Sequence, residues 1–228
     1  MNLIILVIII LVIIISIIFF YNKKRNIEVY FISSNDTKDI EIYLISLQKD
    51  ENRRKQLKIK PDCVYSVNGS TLNKDELIKS NILDKNANLT KGQIGCYLSH
   101  IHFLKKAIDS KKKYVLIIED DAKIDNDLFD KIDIILKNAP KDFEMIFLGH
   151  NYYKEKKEHF ELKKINYLHG AQAYIVNTKN ITLEKINTLF PIKEPYDVIV
   201  PEKFKCYVVE PKIVTLTNFN YSNTVSIN

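Results

Sequence analysis

The amino-acid sequence predicts an α/β fold with a mixed, mostly parallel sheet flanked by helices and preceded by one N-terminal transmembrane helix. Three observations support this prediction. From residue 40 onward, short β-branched runs alternate with helical patterns, which is the order typical of α/β layers. Residues 114–118 and 143–148 are apolar without alternation, as expected of strands covered on both sides. Residues 3–21 form a separate, uncharged stretch that is long enough to cross a bilayer.

Composition excludes several classes of protein. Of the 228 residues, 46% are hydrophobic and 11% aromatic, which excludes a disordered chain. The net charge is +6, but Lys and Arg are interspersed with acids, so we expect no nucleic-acid partner. The three cysteines, Cys63, Cys96 and Cys206, show no C-x-x-C spacing, so neither a disulfide framework nor a structural zinc site is predicted.

The first 39 residues are predicted to be an anchor (residues 1–21) and a polar stalk (residues 22–39). Residues 3–21 carry no charge, and a helix of that length spans a hydrocarbon core about 30 Å thick. A cleaved signal peptide is the alternative, but it would have a basic start, a shorter apolar core and a small-residue cleavage site. We therefore expect a single-pass membrane protein whose soluble domain is residues 40–228.

The side of the membrane is predicted from the flanking charges. Residues 23–25 are Lys-Lys-Arg and follow the apolar stretch directly, so the positive-inside rule places the domain in the cytosol. Unpaired cysteines agree with a reducing compartment. Five N-x-S/T sequons favour the lumenal alternative, and they begin at Asn35, Asn68, Asn88, Asn180 and Asn220. The sequence favours the cytosolic side and leaves the lumenal side open.

The predicted elements follow in order along residues 40–228. Strands are predicted at residues 40–47, 63–67, 114–118, 143–148, 171–176 and 205–209, the last of these closing the sheet. Asn73 is the predicted N-cap of a short helix, residues 74–80, and Thr90 with Gln93 forms a capping box that opens a long helix. Further helices are predicted at residues 127–137 and 178–189. The buried face of the long helix is predicted to comprise Ile94, Tyr97, Leu98, Ile101, Leu104 and Ile108.

Three adjacent acids, Glu119, Asp120 and Asp121, directly follow the strand at residues 114–118. In open α/β sheets, ligands bind outside the carboxyl ends of the strands. Adjacent carboxylates repel one another unless water or a cation compensates, and their oxygens suit Mg²⁺ or Mn²⁺. The alternative is an acidic turn that Asp125 and Asp127 continue.

Other candidate residues each have a functional and a structural interpretation. Arg53 could hold a diphosphate, or it could lie on a solvated helix face. Gly69 marks a tight turn. Gly92 and Gly95 each cost the long helix about 1 kcal/mol relative to alanine, which predicts close approach of a ligand or a neighbouring strand.

His100 and Cys96 lie on the same long helix. His100 is predicted to be either a functional residue or a hydrogen-bonded structural histidine. Cys96 is predicted to be a small buried hydrophobe rather than a nucleophile. The sequence contains no G-x-S-x-G, P-loop or G-x-G-x-x-G motif.

Taken in order, these segments resemble glycosyltransferase family 25, which includes lipooligosaccharide and procollagen galactosyltransferases. Residues 89–100 (LTKGQIGCYLSH) are similar to the family signature L-T-x-G-E-x-G-C-x-x-S-H, and residues 115–121 (VLIIEDD) resemble its D-x-D-equivalent strand. Four other segments also resemble parts of the family: residues 43–47 (YLISL) with the following Arg53, residues 67–70 (VNGS), residues 170–176 (GAQAYIV) and residues 195–197 (PYD). Ser46, Asn68 and Gln93 stand where the family usually has Asn, Asp and Glu, which leaves the choice of donor open.

The resemblance implies a GT-A-type fold, a UDP-sugar donor, Mn²⁺ (or Mg²⁺) and inversion at the anomeric carbon. UDP-galactose is the expected donor and UDP-glucose the next. The acceptor would be a hydroxyl of a glycan, glycolipid or glycoprotein. A divalent cation would offset the charge that builds on the leaving UDP, and a base would deprotonate the acceptor.

The family motifs assign these roles to particular residues. Asp121 and Glu119 would hold the metal, and Asp197 would be the general base, with His100 in reserve. The donor-binding residues would be Ser46, Arg53, Gly69, Gly92, Glu119 and Asp120. Two other functions stay open: an inactive member that binds a sugar nucleotide or glycan, and a membrane-tethered structural protein.

Overall fold

The computed structural model describes residues 39–151 and 159–217. The predicted anchor, and the stalk up to residue 38, lie outside the described residues. Within the described ranges, no helix combines the length and the apolar character needed to cross a membrane.

The described residues form nine strands, six α-helices and one 3₁₀ turn, Gly69–Thr71. The strands are β1 (Ile40–Ile45), β2 (Cys63–Tyr65), β3 (Tyr114–Glu119), β4 (Ala122–Ile124), β5 (Met145–Gly149), β6 (Glu161–Ile165), β7 (Ala173–Asn177), β8 (Cys206–Glu210) and β9 (Val214–Leu216). The helices are α1 (Glu51–Gln56), α2 (Lys74–Lys79), α3 (Lys91–Ile108), α4 (Leu128–Asn138), α5 (Leu183–Asn187) and α6 (Tyr196–Lys203).

The main sheet is mixed and mostly parallel, as the sequence predicts. Its strand order is β2-β1-β3-β7-β5-β8-β6, and β4 pairs separately with β9. Five strands point in one direction: β1, β2, β3, β5 and β8. The other two, β6 and β7, run antiparallel to their neighbours. The carboxyl ends of the parallel strands therefore meet at one edge, where the amino end of β7 joins them.

The sheet is buried on both faces. Along β3, Val115 and Ile117 belong to one apolar cluster, and Leu116 and Ile118 belong to the other. Helices α3, α5 and α6 supply side chains to the first cluster, and α4 supplies them to the second. This double coverage explains why β3 reads as an unbroken apolar run.

Some element predictions were wrong. The strand at residues 205–209 is not the last, because β9 follows and pairs with β4. β6 was missed because its sequence, ELKKI, lies at the sheet edge and lacks an apolar pattern. The helix predicted at residues 178–189 shortens to α5, whose N-cap is Thr182. The short helices α1 and α6 were not predicted.

Helix α3 begins as predicted. Thr90 Oγ1 accepts a hydrogen bond from the Gln93 backbone N–H, and Gln93 Oε1 accepts one from the Thr90 N–H, which completes the capping box. The buried arc of α3 is wider than its apolar stripe, because it includes Ser99 and His100. Ser99 Oγ accepts from the Val67 N–H at 2.8 Å, and this bond ties the segment after β2 to the helix.

The glycines of α3 allow two backbone segments to touch. A Cβ atom on Gly95 would lie 2.8 Å from the Val67 carbonyl oxygen and 2.9 Å from the Gly69 Cα. A Cβ atom on Gly69 would lie 2.2 Å from the Lys91 carbonyl oxygen and 2.9 Å from the Gly92 Cα. The predicted close approach is confirmed for Gly95, and the approaching segment is the 3₁₀ turn.

Candidate active site

A cavity of about 980 Å³ lies at the carboxyl ends of β1 and β3. The 3₁₀ turn and the first turn of α3 also line it. The cavity brings together all the sequence-predicted donor and metal residues: Ser46, Arg53, Gly69, Gly92, Glu119, Asp120 and Asp121. We call this cavity the larger cleft.

A smaller cavity of about 320 Å³ adjoins the larger cleft. Cys96, Glu119 and Asp121 line both cavities. The two residues predicted to be catalytic, His100 and Asp197, line only the smaller one. The predicted site residues therefore divide between two adjoining cavities, with Glu119 and Asp121 at the junction.

Asp120 is fully engaged with neighbouring side chains. Its Oδ2 accepts a hydrogen bond from Ser46 Oγ at 2.7 Å, and its Oδ1 forms an ion pair with Arg53 Nη1 at 2.9 Å. Asp120 and Arg53 are only 6% and 4% exposed. Burial raises the pKa of Asp120, while Ser46 and Arg53 act in the opposite direction. The guanidinium that the sequence assigns to a diphosphate thus has a buried carboxylate as a partner.

Asp121 has the opposite surroundings. Its Oδ1 is buried and has no hydrogen-bond partner among the described residues. Burial, together with the charges of Glu119 and Asp120, raises the pKa of Asp121 to about 7. A buried carboxylate beside other acids gains most from a nearby cation, so the donor set fits a divalent metal ion.

His100 belongs to a buried hydrogen-bonded chain. Its Nε2 lies 3.1 Å from Glu119 Oε1, and its Nδ1 lies 3.0 Å from the Tyr174 hydroxyl. The Tyr174 hydroxyl lies 2.9 Å from that of Tyr196, whose ring stacks on the imidazole with centroids 4.1 Å apart. Burial raises the pKa of both tyrosines well above the usual value, so both stay protonated. This packing fixes the imidazole ring at the wall of the smaller cavity.

Asp197 lies in the first turn of α6, where a negative charge interacts favourably with the helix dipole. Its Oδ2 accepts a hydrogen bond from the Gly170 N–H at 2.6 Å. Gly170 has a φ of +84°, a conformation that favours glycine. Asp197 therefore holds the loop that enters β7 against the smaller cavity.

Two side chains of the smaller cavity were missed as site residues from sequence. Gln172 is 5% exposed, and its Oε1 has no partner among the described residues. Tyr196 precedes Asp197 and stacks on His100. Gln172 lies in the segment GAQAYIV and Tyr196 in PYD, so the family motifs contained the signal, but nothing in their local patterns assigned them a role.

Cys96 lines both cavities through its position one helical turn before His100. Burial raises the pKa of its thiol well above the usual value, and Glu119, Asp197, Asp121 and Asp120 raise it further. The thiol therefore stays protonated in the absence of a bound cation, which agrees with the prediction that Cys96 is not a nucleophile. The residue is, however, only half-buried and lines two cavities, so it is not the buried hydrophobe that was predicted.

Comparisons with known proteins place the chain in a family. The family profile described as "Glycosyltransferase family 25 (LPS biosynthesis protein)" matches residues 39–197. Procollagen galactosyltransferase 2 of Homo sapiens is 32% identical over 127 residues, which cover 48% of this chain and 20% of that protein. Procollagen galactosyltransferase 2 of Mus musculus is 27% identical over 180 residues, covering 71% of this chain and 29% of that protein.

Among solved structures, S. aureus TarS 1-349 in complex with UDP-GlcNAc aligns with a TM-score of 0.40 and 12% identity. The alignment covers 81% of this chain and 60% of the TarS chain.

The chain spans less than a third of the length of the two procollagen galactosyltransferases. The profile match, in contrast, covers well over half of the chain and includes every residue named at the two cavities. The resemblance in the sequence motifs is thus confirmed, and the chain belongs to glycosyltransferase family 25.

Proposed function

We propose that the chain is an inverting glycosyltransferase that moves a hexose from a UDP-sugar to a hydroxyl of a glycan, glycolipid or glycoprotein. Galactose is the first candidate for the hexose and glucose the second. The observation that carries the proposal is Asp121, a half-buried residue whose buried Oδ1 has no partner among the described residues, at the junction of two cavities. The mixed sheet with its site at the carboxyl edge supports a GT-A-type architecture.

The larger cleft suits a nucleotide sugar. Its volume of about 980 Å³ lies at the upper end of the range for small-molecule sites. Lys49 and Lys91 line it, and their ammonium groups would attract a diphosphate. Gly69 and Gly92 line it where the 3₁₀ turn contacts the first turn of α3, so this part of the wall is formed largely by backbone.

Asp121, with Glu119, would hold a divalent cation. When bound, Mn²⁺ or Mg²⁺ would stabilise the negative charge that develops on the leaving nucleoside diphosphate. Asp120 would serve this site indirectly, because its bonds to Ser46 and Arg53 fix the turn that carries Asp121.

The smaller cavity would receive the acceptor hydroxyl. Asp197 is the proposed general base, since its carboxylate lines this cavity and is oriented by the Gly170 N–H. His100 is the second candidate for the base. Its two ring nitrogens contact Glu119 and Tyr174, so proton transfer by His100 would need one of these contacts to rearrange.

One experiment tests the donor site. The full chain is incubated in detergent with UDP-galactose or UDP-glucose, and release of UDP is measured with Mn²⁺ and with a chelator. We expect metal-dependent release, including slow hydrolysis without acceptor, and the faster donor names the sugar. No release, together with no rise in melting temperature on adding UDP and Mn²⁺, contradicts the proposal. UDP binding without release identifies an inactive, nucleotide-binding member.

A second experiment separates the two candidate bases. In Asp197→Asn, we expect transfer to an acceptor to fall by about 100-fold or more, while the affinity for UDP and Mn²⁺ stays within twofold. His100→Gln provides the comparison. If transfer survives in Asp197→Asn and is lost in His100→Gln, with UDP affinity kept in both, the base is His100.

Membrane attachment also remains a proposal. Residues 3–21 would anchor the enzyme near lipid-linked acceptors, with the catalytic domain in the cytosol. Secretory acceptors would require the lumenal alternative. Carbonate extraction of membranes and protease protection of the catalytic domain test the two parts. Release of the chain by carbonate contradicts the anchor, and protection of the domain inside sealed vesicles contradicts the cytosolic side.

A further inference from the structure

We propose that Cys96, His100 and Glu119 form a binding site for a thiophilic divalent cation, with Zn²⁺ as the best match. The Cys96 sulfur, one His100 ring nitrogen and one Glu119 carboxylate oxygen all lie within 4.8 Å of one another. Ligands arranged tetrahedrally around zinc at their usual bond lengths are about 3.5 Å apart. Small side-chain shifts would therefore close the three atoms around one ion.

The backbone places the three ligands without a dedicated motif. Cys96 and His100 are four residues apart on α3, so both side chains lie on the same face of the helix. Glu119 is the last residue of β3, and its carboxylate already contacts the imidazole at 3.1 Å. The absence of C-x-x-C spacing excluded a cysteine-rich zinc site, but it does not bear on a site with one cysteine.

The groups behind the ligands favour metal binding. The Tyr174 hydroxyl contacts His100 Nδ1 at 3.0 Å, which leaves Nε2 to face Glu119. A partner on the second ring nitrogen is the usual means of fixing a metal-binding histidine. The negative charges of Glu119, Asp121, Asp120 and Asp197 all act on the Cys96 sulfur. These charges repel the thiolate form of Cys96, and an ion of charge +2 would offset that repulsion. The thiol proton would leave to solvent as the sulfur–metal bond forms.

The donor set distinguishes this site from the one proposed for Mn²⁺ or Mg²⁺. Thiolate and imidazole ligands favour Zn²⁺, whereas a site made only of carboxylates favours the harder ions. The two sites share Glu119, so both ions could not use that carboxylate fully at the same time. On the proposed function, Zn²⁺ would therefore inhibit transfer by displacing the activating cation. The binding of zinc itself does not depend on that function.

The test uses the full chain in detergent, with metal binding rather than turnover as its readout. Equilibrium dialysis is expected to show one Zn²⁺ bound per chain. The Co²⁺-loaded protein is expected to show a sulfur-to-metal charge-transfer band in the near ultraviolet. Cys96→Ser should remove this band and weaken zinc binding at least about tenfold. Cys63→Ser, at a partly exposed cysteine on β2, is the matched control and should change neither.

Three results would overturn the proposal: no cobalt–thiolate band in the wild type, unchanged zinc affinity in Cys96→Ser, or loss of the band in Cys63→Ser. If Cys96→Ser does not fold, the control variants Cys63→Ser and Cys206→Ser decide. A band that survives both assigns the thiolate to Cys96, and a band lost in either assigns it elsewhere. Zinc affinity and the cobalt–thiolate band can be measured even if the UDP-release assay fails. The zinc site and the glycosyltransferase function can therefore be disproved independently of each other.

Discussion

Asp120 and Asp121 are adjacent in sequence, yet their surroundings differ in almost every respect. Asp120 has a hydroxyl on one oxygen and a guanidinium on the other, and the three residues form a closed polar cluster. Asp121 has an oxygen without a partner among the described residues, and the charges of Glu119 and Asp120 raise its pKa more than Arg53 lowers it. We call these two groups the Asp120 cluster (Ser46, Arg53, Asp120) and the Asp121 junction (Glu119, Asp121).

The difference indicates that Asp120 supports the fold, whereas Asp121 is the candidate for binding a ligand. A buried, hydrogen-bonded ion pair holds its neighbours in place, and removing one partner leaves an uncompensated charge. A buried carboxylate with a raised pKa and no partner is a destabilising feature, which persists at sites where a ligand supplies the missing charge. The sequence EDD therefore combines one residue that fixes the turn with one that, on the proposed function, would bind a cation.

The largest expected effect is the loss of the Asp120 cluster. Arg53→Met should lower the free energy of unfolding by about 3–5 kcal/mol, because Asp120 would keep a buried charge without its partner. Lys55→Met is the matched control on the same helix, since Lys55 and Glu51 are both 66% exposed. It should cost less than about 1 kcal/mol. Urea denaturation measures both, and equal effects would mean that the buried pair does not support the fold.

The Asp121 junction should respond in activity rather than stability. Asp121→Asn should reduce metal-dependent UDP release by about 100-fold or more, because the cation would lose its principal ligand. The melting temperature should not fall, since the substitution removes repulsion with Glu119 and Asp120. Asp125→Asn, at an exposed carboxylate directly after β4, is the control and should keep full activity. Full activity in Asp121→Asn would remove Asp121 from the mechanism.

The pH dependence of stability should distinguish the junction further. In metal-free solution, Asp121 keeps its proton up to about pH 7 in the folded chain but loses it near pH 4 when unfolded. The folded state then binds more protons between these values, so this carboxyl makes stability fall as pH rises from about 4 to about 7.

Asp121→Asn lacks this contribution to the pH dependence. Between pH 5 and pH 8, the stability of the variant relative to the wild type should increase by about 2 kcal/mol, measured by urea denaturation in a chelator. Saturating Mn²⁺ should raise the stability of the wild type at pH 8 and thereby reduce the difference. A difference that does not change with pH would show that Asp121 titrates normally.

The smallest expected effect concerns the backbone beneath the larger cleft. Helix propensity alone predicts that Gly95→Ala stabilises the chain by about 1 kcal/mol. The added Cβ would lie 2.8 Å from the Gly69 nitrogen and the Val67 oxygen, so we expect a net destabilisation of about 1–2 kcal/mol. The two effects have opposite signs, and a thermal or urea melt decides between them. A rise in stability would mean that the 3₁₀ turn can move away from α3.

Much of the fold follows from local patterns in the sequence. The capping box at Thr90 and the unbroken apolar run of β3 each have a local physical cause, and both were predicted correctly. The reversed direction of β7 was not predicted, because an apolar strand carries no sign of which way it runs. The edge strand β6 was missed because ELKKI has no apolar pattern, and the short helix α6 was missed because it is only eight residues long and contains Pro201.

The candidate site could be predicted as a set of residues but not as a set of contacts. Sequence motifs predicted that Arg53, Asp120 and His100 belong to one site, and all three line one or the other of the two cavities. The pairing of Arg53 with Asp120 joins residues 67 positions apart, so no local rule contains it. The tyrosine contacts of His100 are of the same kind, since Tyr174 lies 74 positions away.

The reversed strand β7 also determines where this protein can diversify. A parallel strand presents to the cleft the loop that leaves it, whereas β7 presents the loop that enters it, with Gly170 and Gln172 at its end. This loop is the connection from β6, which runs in the same direction as β7, and its Leu168 and Ala171 are buried in the first apolar cluster. An insertion would therefore have to leave those two positions in place. On the proposed function, such insertions before β7 would change the acceptor side of the site while the nucleotide side stays as it is.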